Sequence, residues 1–127
     1  MTERKVIQTD KAPGAIGPYS QALLVGNTLY LSGQLGIDPA TGKLVDGTAP
    51  QARQALDNIM AILMKANMSM RDVVQVQVFL ADIADFAAVN EIYKAYFQEP
   101  YPARAAIQAG ALPAGGLVEI LVTAFKS

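Results

Sequence analysis

Arg104 and Glu119 are the only charged residues in the run YPARAAIQAGALPAGGLVEILV, residues 101–122, and apart from Gln108 what surrounds them is apolar or small. Charged side chains are seldom fully buried unless they are paired or in use. These two are therefore either ordinary surface charges or groups that face a cavity and do chemistry there. Arg104 follows the rigid turn PYPA and begins a strand-like run. Its planar fork suits two-point binding of a carboxylate, which lysine cannot reproduce. A surface or interface arginine in an ion pair is the plain alternative. Glu119 stands mid-strand with Leu117 and Leu121 on its own face, so it lies on a solvated edge or looks into a cavity.

Composition narrows the chemistry further. The chain has no histidine and no cysteine. That removes Ser-His-Asp and Cys-His machinery, disulfides, Cys-based zinc sites and the commonest transition-metal ligand. Any catalysis must rest on Arg, Lys, Tyr, Ser, carboxylates and backbone groups. Ten Lys and Arg against eleven Asp and Glu leave a net charge of -1 without blocks of either sign, so nucleic-acid binding is not expected. The N-terminal MTERKVIQTDKAPG lacks the apolar core of a signal peptide, and no segment approaches the roughly 20 apolar residues of a membrane span. The expected location is the cytoplasm, with no membrane partner.

Residues 1–127 read as one α+β domain without repeat or linker. Apolar residues make up 52% of the chain and charged residues only 17%, a surplus that predicts apolar surface hidden by further copies of the chain. Two helices are expected. TAPQARQALDNIMAILMKAN opens on a Thr48/Gln51 capping box with Pro50 in the first turn, and places Ala52, Ala55, Leu56, Ile59, Leu63 and Ala66 on one face. DFAAVNEIYKAYFQEP starts at Asp85 as cap, carries Phe86, Val89, Ile92, Tyr93, Tyr96 and Phe97 on one side, and is stopped by Pro100. Strands are expected at KVIQT, QALLVG, TLYLSG, VVQVQVFLAD, ARAAIQA and LVEILVTAF, the second and third joined by a tight turn at Gly26-Asn27. The order predicts a mixed sheet with both helices on one face. On the other face Gln75 and Gln77 are polar whereas LVEILVTAF is apolar, which packing between subunits would resolve.

The segments APGAIGPYSQA and LSGQLGIDPATG are Gly- and Pro-rich loops that place Tyr19, Ser20 and Ser32 on turns. Neither is a phosphate cradle, since there is no Walker lysine and no G-x-G-x-x-G before a helix. Asn90 reads as a solvated helix position, Asp82 and Asp85 as a turn and a cap, and Met60, Met64, Met68 and Met70 as core and helix-end packing.

Taken in order, APGAIGPYSQA, LSGQLGIDPATG, QARQALDNIMAIL, DFAAVNEIYKAYF, PARAA and LPAGGLVEI resemble the RidA/YjgF family of imine deaminases over nearly the whole chain. The resemblance implies a chorismate-mutase-like α+β fold and a homotrimer with clefts between subunits. It also implies hydrolysis of 2-imino acids such as 2-iminopropanoate and 2-iminobutanoate, released by pyridoxal-phosphate-dependent dehydratases, to 2-oxo acids and ammonia. Carried over residue by residue, it makes Arg104 the carboxylate-binding arginine, Glu119 the glutamate that meets the water, and Tyr19 a third catalytic residue. Ser32, Gly33, Asn90 and Ala106 join Arg104 and Tyr19 in holding the substrate. Many members carry a cysteine where this chain has Ala106; if only that residue's backbone is used, activity survives.

Imine hydrolysis requires little more than orientation and one proton relay, because a protonated C=N carbon is already electrophilic. No metal or cofactor is expected. Arg104 and Glu119 can share one cleft if their strands are neighbours. The alternative reading is a non-catalytic trimer that binds small carboxylates or protein partners. A ribonuclease activity fares worst, with no histidine and no basic stripe for RNA phosphates.

Overall fold

The computed structural model describes residues 3–127. The runs RKVI, ALLV and TLYL form β1 (Arg4–Ile7), β2 (Ala22–Val25) and β3 (Thr28–Leu31), joined as antiparallel neighbours. Val25 pairs Thr28 directly across the two-residue Gly26-Asn27 turn, with Gly26 at φ 61°, the Gly-first pattern of a type II′ hairpin. The loop after them is more structured than its Gly and Pro content implied. Gln34–Leu35 form β4, and Ile37–Asp38 pair with Lys43–Leu44 as a small separate hairpin, β5 and β6.

Helix α1 (Thr48–Lys65), strand β7 (Val73–Leu80), helix α2 (Phe86–Tyr96), strand β8 (Ala103–Gln108) and strand β9 (Val118–Phe125) complete the chain. The main sheet runs β1-β2-β3-β9-β7-β8, with β4 pairing β9 beyond the end of β3. Only β7 and β8, linked through α2, are parallel, so the sheet is mixed as expected. Both helices cover one face. There Leu29, Val76, Val78, Leu80, Val118, Ile120, Val122 and Ala124 meet Ala52, Ala55, Leu56, Ile59, Ile62 and Leu63 of α1 and Val89 and Tyr93 of α2 in one buried core. Among the described residues, no helix is long and apolar enough to cross a membrane.

Two cap assignments change. Gly47, at φ 93°, precedes α1, and no side chain caps it. Thr48 is instead the first helical residue, its hydroxyl donating to Asp85 Oδ2 at 3.0 Å. Gln51 is drawn inward because two backbone groups need partners there: its Nε2 donates to Val45 O at 3.0 Å and its Oε1 accepts from Leu117 N at 2.8 Å. Ahead of α2, Asp82 is the side chain that caps, its Oδ1 accepting from Ala84 N at 2.9 Å and starting a short 3₁₀ turn at Ile83–Asp85. Asp85 holds the N-cap position of α2 as expected, but its side chain is committed to Thr48 and makes no capping hydrogen bond. Of the four methionines read as packing, Met68 is buried, whereas Met64 stands 68% exposed on the outer side of α1.

Polar side chains also fix the loops. Buried Asn58 of α1 donates to Leu35 O at 3.3 Å and Ile37 O at 2.9 Å. The side chain of Gln21, also buried, binds Thr9 N and the carbonyls of Thr9, Ala12 and Pro13, pinning the segment that leads to Tyr19.

Candidate active site

The residues singled out from the sequence fall into two clusters. The first is built on β8 and α2. Arg104 lies opposite Val76 in the β7–β8 register, so its side chain rises on the helix-covered face. There it meets a single stripe of α2 at spacing i, i+4, i+7: Phe86, Asn90 and Tyr93. Arg104 Nη1 donates to Asn90 Oδ1 at 2.8 Å. The guanidinium carbon lies 4.7 Å from the Tyr93 ring centroid and 5.3 Å from that of Phe86, within cation–π range of both. Asn90, Tyr93, Lys94, Tyr101, Pro102 and Arg104 line a cavity of about 400 Å³. Asn90 is therefore a partner of Arg104, not a bystander in solvent. Its place between two aromatic residues of one stripe was the signal in the sequence.

β8 is an edge strand that pairs with β7 alone among the described residues. Ala109 N donates to Leu80 O at 2.8 Å, toward β7. Strand alternation then turns the Ala106 N–H the other way, to the open edge beside Arg104. The side chain at 106 contributes no donor, yet the backbone offers one.

The second cluster is built on β9 and the loops before β2 and β4. Glu119 lies opposite Phe79 and Leu35, on the face away from the helices. It is half-buried, and this burial pushes its carboxyl pKa up from the ordinary carboxylate range. Gly33 is pressed against it: a Cβ there would lie 2.9 Å from Glu119 Oε2. Ser32 Oγ donates to Ser20 O at 2.6 Å and Ser32 N donates to Gln21 O at 2.9 Å, tying the Ser32-Gly33 loop to the end of the Tyr19 loop. Tyr19 is exposed, and its hydroxyl accepts from Ile16 N at 3.4 Å.

Arg104 and Glu119 do not share a cleft within one copy. β7 lies between their strands, and their side chains emerge on opposite faces of the sheet. Phe79 shows this directly, since its register partners are Glu119 on one side and Ile107, not Arg104, on the other. The two clusters therefore lie apart within one chain. Arg104, Asn90 and Ala106 can hold an anion, whereas Glu119 with Gly33, Ser32 and Tyr19 can exchange a proton. Among the described residues, no group of three His, Cys, Asp or Glu side chains is placed to hold a metal ion.

The family model described as Endoribonuclease L-PSP matches residues 9–126. A bovine (Bos taurus) protein named 2-iminobutanoate/2-iminopropanoate deaminase is 60% identical over 118 residues, which cover 92% of this chain and 86% of that protein. The crystal structure of RidA from the Antarctic bacterium Psychrobacter sp. PAMC 21119 superposes with a TM-score of 0.95 at 54% identity, covering 97% of this chain and 100% of that one. A crystal structure of E. coli TdcF with bound serine matches with a TM-score of 0.93 at 40% identity, over 97% and 99% of the two chains.

Proposed function

The chain belongs to the Endoribonuclease L-PSP family, the RidA/YjgF family, and we propose that it hydrolyses 2-iminobutanoate and 2-iminopropanoate to 2-oxo acids and ammonia in clefts shared by two copies of the chain. The observation that carries this reading is the opposite-face placement of Arg104 and Glu119. A carboxylate clamp and a water-directing carboxyl that cannot meet within one chain can meet across two.

In that cleft the Arg104 guanidinium, with Nη1 on Asn90, offers its remaining N–H donors to the substrate carboxylate. The outward Ala106 N–H adds a further donor beside it. The serine bound in the TdcF structure also carries an α-carboxylate, which accords with such a clamp. The neighbouring copy brings Glu119, which takes a proton from water as the oxygen adds to the C=N carbon. Glu119 passes that proton to the nitrogen and takes up the hydroxyl proton as the carbinolamine C–N bond breaks, so that ammonia leaves and the 2-oxo acid remains. A carboxyl whose proton is held more firmly than usual suits both steps near neutral pH. Tyr19, exposed and next to Ser20, whose carbonyl Ser32 Oγ binds, joins Ser32 and Gly33 on the Glu119 side of the cleft.

The copies join as a homotrimer through the sheet face away from the helices, where Tyr30, Phe79, Ile107, Leu121 and Phe125 leave apolar surface in contact with water. The protein is cytoplasmic, acts on a small 2-imino acid, and binds neither nucleic acid nor membrane.

The test mixes two variants. Arg104→Ala and Glu119→Gln should each be strongly impaired as pure proteins in an assay where a dehydratase makes the imine and oxo-acid release is followed. After subunit exchange in equal amounts, about a quarter of the clefts combine an intact arginine with an intact glutamate. Activity returning toward that fraction supports the shared site. A mixture as inactive as its parents overturns it, and a parent protein that never accelerates oxo-acid release makes the molecule a binding module.

A further inference from the structure

The geometry points to Tyr93 and Phe86 as positioning residues that set the plane of the Arg104 guanidinium and so the orientation of the carboxylate it grips. This inference rests on the reading of Arg104 as the carboxylate clamp and adds two residues to it. An exposed arginine samples many rotamers, and a two-point grip requires one of them. Among the described residues a single hydrogen bond, from Nη1 to Asn90, reaches the guanidinium, which fixes a point but not a plane. The aromatic rings of Tyr93 and Phe86, at 4.7 and 5.3 Å, provide the surfaces that fix it, since a guanidinium lies stably along a ring face.

The stripe is itself rigid. Tyr93 is only 5% exposed, and its ring packs on Phe97, with centroids 4.4 Å apart and planes inclined at 31°. The Tyr93 hydroxyl is the one buried side-chain polar atom without a hydrogen-bond partner among the described residues. No hydrogen bond steers this ring, so packing places it and its face does the work. Burial also raises the phenol pKa against the opposing pull of Arg104, which keeps the hydroxyl neutral.

Tyr93→Leu removes the ring and Tyr93→Phe keeps it. Steady-state turnover of enzymatically generated 2-iminobutanoate and calorimetric binding of 2-oxobutanoate are measured for both, with Arg104→Ala alongside. The expected result for Tyr93→Leu is a rise of about 5- to 30-fold in KM and in the 2-oxobutanoate Kd, with kcat per folded molecule changed much less. Tyr93→Phe returns both values to those of the parent. A purely structural role would instead lower the folded fraction and leave KM and Kd where they were, and that outcome overturns the proposal. So does a Tyr93→Phe variant as impaired as Tyr93→Leu, which would make the hydroxyl the working group. Should Tyr93→Leu fail to fold, Phe86→Leu on the less buried side of the guanidinium carries the same test, with the same split expected and unchanged KM and Kd again overturning it. If Arg104→Ala binds 2-oxobutanoate like the parent, the clamp itself is refuted. If Arg104→Ala loses binding while Tyr93→Leu keeps it, the clamp stands and only the cradle falls.

Discussion

Gly33→Ala tests whether the position of the Glu119 carboxyl sets the rate. The added Cβ would lie 2.9 Å from Oε2, 3.1 Å from Cδ and 3.3 Å from Cγ of Glu119. Carbon atoms pack comfortably at about 3.5 to 4.0 Å, so Cδ and the carboxyl it carries must retreat by roughly 0.4 to 0.9 Å. A displacement of about 1 Å of a group that orients the reacting atoms costs about 10²-fold, or about 2.7 kcal/mol of transition-state stabilisation. The backbone itself does not object, because the glycines with positive φ are Gly26, Gly42, Gly47 and Gly115, and Gly33 is not among them. It is also exposed, so the melting temperature should barely move. The assay is oxo-acid release from dehydratase-generated 2-iminobutanoate, with thermal unfolding measured in parallel and Gly33→Ala also combined with Glu119→Gln. Both changes act through one carboxyl, so the double variant should be no slower than Glu119→Gln alone. Gly33→Ala at the parental rate, or penalties that simply multiply, would refute the reasoning.

Glu119→Gln alone should lower turnover about 10²- to 10⁴-fold. Because burial raises the Glu119 pKa in the folded chain, the stability linked to its protonated form is full below the unfolded value and lost as pH rises through the folded one. The glutamine variant should therefore melt higher than the parent at neutral pH, with the gap closing toward about pH 4, as thermal scans across pH will show. Arg104→Lys should be nearly as damaging as Arg104→Ala, each losing about 2 to 5 kcal/mol, because a point charge cannot reproduce the fork held between Asn90 and the rings; kcat/KM of the two variants decides. Gly36→Ala would set a Cβ 2.5 Å from Gln51 Cα and 2.6 Å from Gln51 O, a clash with helix backbone. It should cost about 3 kcal/mol or more and show as a large loss of denaturation midpoint or of soluble protein. Chelators should leave turnover unchanged, since the chain has neither histidine nor cysteine; loss of activity in EDTA would contradict that.

Periodicity alone located the helices and the six long strands, because their signals are local. Every other residue of VEILVTAF and every third or fourth of QALDNIMAIL is apolar, and burial of those faces leaves few alternatives. Composition excluded His- and Cys-based chemistry but left Arg104 and Glu119 readable as surface charges, and only the resemblance of six collinear segments to the RidA/YjgF family pointed to imine hydrolysis. The caps were not legible, because Thr48, Gln51 and Asp85 could each satisfy a helix end or a distant partner. The partners that won, Asp85, Leu117 N and Thr48, are far away in sequence. The side of the sheet on which each charge emerges was likewise beyond the sequence. Alternation fixes a residue's face only relative to its own strand, so the relation between Arg104 and Glu119 depends on β7 entering between β8 and β9 with its register to each. That pairing is a long-range choice of backbone partners, and it alone decided that Arg104 and Glu119 emerge on opposite faces of the sheet.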